Sequence, residues 1–143
     1  AHSMGGLVAL HLATALTDFR IGHIVQLGTP NQGSEVADAL QHSRWFKAVY
    51  GPAGQQLTTE ARLQTQPLKK ANALGIIAGN RSIDPISSWL IPGPDDGKVA
   101  VARTVHDDMD DHIVVPVAHP LLPRSQKVHN QVLYFLQNST FIK

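Results

Sequence analysis

Residues 1–6, Ala1-His2-Ser3-Met4-Gly5-Gly6, constrain the fold more than any other stretch. A serine flanked two positions away on each side by a small residue, with a second glycine behind, spells a sharp strand-to-helix turn. Such a turn holds its serine in a strained conformation and stands the hydroxyl out beyond the sheet edge. Where the strand and helix cross, only small side chains fit, and Ala1 and Gly5 hold those places. Alanine departs from the commoner glycine by a single methyl. The plainer reading of Ser3 is a helix N-cap, for which serine is a leading residue. Two features favour the strained turn. An amphipathic helix follows at once, and an aspartate and a histidine come later in the chain, in that order.

The bulk composition permits a folded core. With 143 residues, 43% of them hydrophobic and 16% charged, the chain has the size and make-up of one globular domain. Its 12 basic and 11 acidic residues leave a net charge of +1, so no field favours nucleic acid or an anionic membrane as partner. The absence of cysteine excludes disulfides and thiolate chemistry and leaves the compartment open. No apolar run reaches the ~20 residues of a transmembrane helix. A strained turn needs a strand leading into it. The expectation is therefore that strands precede Ala1 and that residues 1–143 are the C-terminal portion of a single larger domain.

Leu7, Val8, Leu10, Leu12, Ala13 and Leu16 predict a helix over residues 4–16, apolar on most sides and so packed on a sheet. The β-branched run 21–27 predicts a strand closed by Gly28-Thr29-Pro30, with His23 inside it as a core or sheet-edge histidine. Residues 31–34 read as a loop, and Ser34 and Glu35 start a second helix through Leu40. The stretch 41–70 differs in composition. Its Trp45, Phe46 and Tyr50 suit either a lid over a pocket or ordinary helix packing.

Residues 74–78 predict the next strand. A long irregular piece with Pro85, Pro92 and Pro94 follows, delivering Asp95-Asp96-Gly97-Lys98-Val99, with 99–101 extended. The run 106–112 is an acidic loop and 113–117 the last strand, with Pro116 marking an edge. His119 follows directly, and 124–137 closes the chain as an amphipathic helix. Alternating strands and helices argue for a parallel sheet with helices on its faces, whose reactive groups gather at the carboxyl ends of the strands. Ser3, Asp96 and His119 all fall after strands.

Other residues compete for those roles. His106 also follows an extended piece and is the rival base; Asp95 and Asp84 are rival acids. His112 lies before the last strand, at the opposite end of the sheet. His11 and His129 sit on helices as structural or solvated groups, and His2 lines the pocket or packs beneath it. The cluster 106–112 fits neither the spacing of a calcium-binding loop nor a zinc signature, so it reads as a solvated loop and no metal is expected. Asn80-Arg81-Ser82 and Asn138-Ser139-Thr140 match the glycosylation acceptor pattern, which arises often by chance.

The opening turn, Leu27-Gly28-Thr29-Pro30 with Gly33 shortly after, Asp96-Gly97-x-Val99, and His119 after a final strand together resemble the α/β-hydrolase fold. Within it the chain resembles bacterial lipases and esterases along nearly its whole length. The resemblance implies that the turn is a nucleophile elbow, with Ser3 as nucleophile, Asp96 as acid and His119 as base. It also implies that the Met4 main-chain N–H is one oxyanion donor and that His2, Thr29 and Pro30 border the substrate. The second donor would come from a loop earlier in the fold. Loss of one donor slows such reactions by about a hundred- to a thousandfold, so these residues alone are expected to make a poor catalyst. Many relatives carry histidine where Asn31 stands.

The implied activity is hydrolysis of a small-molecule or lipid carboxylic ester through an acyl-enzyme, without a cofactor. The alternatives are an acyltransferase, an amidase or a lipid-anchor deacylase using the same three residues, or an inactive hydrolase-like binding scaffold.

Overall fold

The computed structural model of the chain describes residues 1–15, 21–33 and 72–143. The expected second helix from Ser34 and the lid-like stretch 41–70 lie outside the described residues.

Among the described residues three short strands form the centre: β1 (Ile24–Leu27), β2 (Leu74–Gly79) and β3 (Asp111–Val115). They lie parallel in the order β1-β2-β3, with Ile24 opposite Leu74 and Gly79 opposite Val115. Every residue of β1 and β2 is buried, as expected for strands covered on both faces. Residues 1–3 run parallel along the far edge of β1. Leu27 N–H donates to Ala1 O at 2.8 Å and Ser3 N–H to Leu27 O at 2.9 Å.

The period-2 alternation of strand side chains sorts the core into two layers. Ile24, Leu74 and Ile76 pack under Leu10 and Ala13 of α1 (Met4–Ala15). Val25, Leu27, Ile77 and Val115 face the other way, onto Val128 and Phe135 of the closing helix and Phe141 beyond it. The outcome is the layered parallel sheet that the alternating pattern implied. Helix α1 is less covered than its composition suggests, with Val8 and Leu12 exposed.

The strand boundaries shift from those expected. Strand β1 begins at Ile24, so His23 lies just before it, exposed, with Nδ1 accepting the Ala73 N–H at 3.0 Å. Strand β3 starts at Asp111 and stops before Pro116, whose missing N–H cannot extend a ladder. His112 therefore lies inside that strand, toward its N-terminal end. The stretch expected to be wholly irregular contains a helix, α2 (Pro85–Leu90), capped by Asp84, whose carboxylate accepts the Ser87 N–H at 3.1 Å. Aspartate before proline is the usual sign of such a start.

Residues 99–101 form no strand. Ala100 makes a single antiparallel bridge to Asp95, and Val101–Arg103 is a 3₁₀ turn. A second 3₁₀ segment, His119–Arg124, leads into α3 (Gln126–Asn138), which begins two residues later than its pattern suggests and ends on Ser139 in the left-handed region.

The acidic run is not simply solvated. Asp110 Oδ2 accepts the Leu74 N–H at 2.7 Å, and Asp111 Oδ2 accepts Thr140 Oγ1 and the Phe141 N–H at 2.7 and 2.9 Å. These carboxylates tie the start of β2 and the C-terminal segment to β3. Burial opposes the Asp111 charge, but the hydrogen bonds from Phe141, Thr140 and His112 prevail and hold its carboxyl below the usual range. Among the described residues no three His, Cys, Asp or Glu side chains gather as a metal-binding set.

Candidate active site

Ser3 has φ 54, a region that a residue with a Cβ enters only at a steric cost of about 1–3 kcal/mol. Its surroundings hold it there. The Ser3 N–H is tied to Leu27 O, its carbonyl accepts the Gly6 N–H at 3.0 Å, and it also accepts the Thr29 hydroxyl at 3.0 Å. The buried Gln26 side chain donates to Gly6 O at 3.0 Å. The crowded place in the turn is one residue later than expected. A Cβ on Gly6 would come within 2.8 Å of Thr29 Cγ2, whereas one on Gly5 meets nothing within 4 Å.

Asp96 lies in the turn after the Asp95 bridge and is 1% exposed. Its Oδ1 accepts the main-chain N–H groups of Lys98 and Val99 at 3.0 and 2.8 Å, a local aspartate turn that fixes the carboxylate plane. That leaves Oδ2 for His119, whose Nδ1 is 2.7 Å away. A carboxylate oxygen can only accept, so Nδ1 carries the proton and the other ring nitrogen is the acceptor. His119 Nε2 lies 3.0 Å from Ser3 Oγ. The His119 main-chain N–H also donates to Asp96 O at 2.9 Å, so backbone and ring are registered on the same residue. Ser3, His119 and Asp96 thus form one hydrogen-bonded line across residues 116 and 23 positions apart in the chain.

The rivals are engaged elsewhere. His106 Nδ1 accepts the Asp108 N–H at 3.1 Å within its own turn. Asp95 accepts the Ser88 hydroxyl at 2.6 Å and the Gly97 N–H at 2.7 Å. Asp84 caps α2 and pairs with Lys98 at 2.9 Å. Bonds from Ser87 and Lys98 hold its carboxyl well below the ordinary range. His11 is exposed, and His129 is exposed with Nε2 2.8 Å from Pro123 O.

Met4 opens α1, and the first N–H groups of a helix have no partner within it. The turn is closed instead by Gly5 N–H to His2 O and Gly6 N–H to Ser3 O. Thr29 and Pro30, expected to border the substrate, are buried, and the Thr29 hydroxyl donates to Ser3 O in the turn. His2 is half-buried against His119.

Two supports were not anticipated from the sequence. Gly28 passes directly under the Asp96–His119 pair. Asn31, Gln26 and Thr104 form a buried polar chain, in which Asn31 Nδ2 lies 2.6 Å from both Gln26 Oε1 and Thr104 O. Thr104 Oγ1 then meets His112 Nε2 at 3.0 Å, and burial pushes the His112 pKa down. The only signal for this chain was a Gln and an Asn set among apolar residues.

The parallel sheet, its flanking helices and the turn at Ser3 define an α/β-hydrolase fold. No family model and no curated protein matches the sequence. Among solved structures, the chain is similar to the mature form of the Bacillus licheniformis lipase BlEst2, with a TM-score of 0.73 and 21% identity over 95% of this chain. The propeptide form of that lipase matches 69% of this chain with a TM-score of 0.56 and 20% identity. The chain spans 62% of the length of the mature lipase and 26% of the propeptide form.

Proposed function

We propose that the chain carries the catalytic residues of a serine hydrolase that cleaves carboxylic esters, of the lipase or esterase kind. The observation that most supports this reading is the unbroken line from Ser3 Oγ through both ring nitrogens of His119 to the buried Asp96. A serine hydroxyl is a weak nucleophile until a neighbouring imidazole takes its proton. In the first half-reaction Ser3 Oγ bonds to the ester carbonyl carbon and its proton passes to His119 Nε2. Asp96, bonded to Nδ1–H, steadies the imidazolium so formed. The carbonyl oxygen becomes an oxyanion, and the Met4 N–H is one donor to it.

Collapse breaks the bond to the alcohol, which leaves with the proton from Nε2, and Ser3 is acylated. In the second half water attacks the acyl carbon and gives a proton to Nε2. The acid departs and Ser3 Oγ recovers that proton. Neither half calls for a cofactor. A small-molecule or lipid ester is the substrate class that fits, in keeping with a structural neighbour named as a lipase.

The test is turnover of p-nitrophenyl esters by the full-length protein. Release of p-nitrophenol that disappears in Ser3→Ala and His119→Ala is the expected result. Release that survives Ser3→Ala would contradict the reading.

A further inference from the structure

Among the described residues His119 is held at four points, and three belong to the line already described: its main-chain N–H, Nδ1 and Nε2. The fourth comes from His2. His2 Nε2 lies 3.1 Å from the His119 main-chain oxygen. A carbonyl can only accept, so Nε2 of His2 is the protonated nitrogen and donates. The His2 ring also lies against the His119 ring, centroids 4.7 Å apart and planes tilted by 45°.

We propose that His2 is a positioning residue for His119: its Nε2–H fixes the main-chain carbonyl and its ring backs the imidazole, keeping Nε2 of His119 aimed at Ser3. The proposal rests on the serine-hydrolase reading above, and it gives His2 a role other than contact with substrate.

The placement suits the task. His2 is adjacent to Ser3 on the segment that pairs with β1, through the bridge from His2 to Leu27. A shift of His119 relative to His2 is therefore also a shift relative to the nucleophile. The elbow thus grips its proton acceptor from two neighbouring residues, Ser3 at the ring and His2 at the backbone. Burial and the neighbouring His119 both lower the His2 pKa, outweighing the hydrogen bond to His119 O and the Asp96 charge. His2 is therefore kept neutral beside a ring that must itself accept a proton, and two adjacent cations are avoided.

The test compares His2→Phe, which keeps a ring and loses the donor, with His2→Gln, whose amide restores an N–H at similar reach. Both are made in the full-length protein and assayed on a p-nitrophenyl ester. Losing one oriented hydrogen bond is expected to lower kcat about tenfold in His2→Phe, with KM within about twofold. His2→Gln should recover kcat to within about threefold of wild type, a rescue that loss of packing alone would not produce. If His2→Phe fails to fold, His2→Met serves as the donor-less variant.

Unchanged kcat in the donor-less variant would overturn the proposal. So would a change confined to KM, which would make His2 a substrate contact. Ser3→Ala and His119→Ala, measured alongside, separate the two readings. If they abolish turnover while His2→Phe does not alter it, only the positioning role fails; if they leave turnover intact, the hydrolase reading itself fails.

Discussion

At Gly28 the chain leaves β1 with φ +56, and a Cβ there would sit 2.9 Å from Asp96 Oδ2 and 3.0 Å from His119 Nδ1. Both the backbone conformation and the close approach require glycine. Gly28→Ala is expected to displace the Asp96–His119 pair by some tenths of an ångström or more. Fluorophosphonate labelling of Ser3 should slow by about a hundredfold, the scale of loss set by misplaced reacting groups. Labelling at the wild-type rate would mean that the pair does not depend on this gap. Asp96→Asn should lower ester turnover about ten-thousandfold, since the amide no longer enforces the tautomer that leaves His119 Nε2 as acceptor; steady-state kinetics checks this.

Residues of this site were legible in proportion to how local their constraint is. Ser3, Asp96 and His119 were singled out by the opening turn, the Asp96-Gly97-x-Val99 stretch and chain order together with the family resemblance these carry. His2 and Thr29 were expected only to border the substrate, because the partners they bond lie 117 and 26 residues away. Placing the tight contact at Gly5 in place of Gly6 was an error of the same origin: the obstacle is the Thr29 side chain, which the turn's own sequence does not contain.

Helix α2 shows what pattern alone overlooks among elements. Six residues are too few for periodicity, and its evidence lay in the Asp84-Pro85 start. Asp84→Ala should destabilise the protein by about 1 kcal/mol at neutral pH, the usual worth of a cap. The sign of its pH dependence follows from the lowered Asp84 pKa, which comes from the Ser87 and Lys98 hydrogen bonds. The folded state takes up fewer protons than the unfolded chain as pH falls toward the ordinary carboxylate value of about 4. The stabilisation is thus present at neutral pH and is lost below about pH 4. Thermal melts should show the gap between wild type and Asp84→Ala narrowing from pH 7 to pH 3; a constant gap would contradict this.

Helix α3 was read more accurately, because Val128 and Phe135 stand on one face and both are fully buried. The Phe135 ring lies against Gly75 of β2 and has its centroid 4.7 Å from that of Phe141. Phe135→Ala should cost about 3–5 kcal/mol, measured by denaturant unfolding. Strands were identified correctly but with shifted ends, since a short apolar run does not say where its ladder partner begins.

On the scale of the whole molecule, the parallel sheet with a helix layer on each face was legible from the alternation of elements, and the proximity of Ser3, Asp96 and His119 was expected from their order along the chain and the family resemblance. Under the proposed hydrolase reading, the choice of ester belongs to the surfaces around the line and not to the line itself. The central claim is that Ser3 is an activated nucleophile. The most direct measurement is fluorophosphonate labelling of the full-length protein, with the modified peptide located by mass spectrometry. The account predicts a label on Ser3 that is lost in His119→Ala and weakened in Asp96→Ala. A folded protein that takes no label at Ser3, or takes it equally in both variants, would contradict the claim.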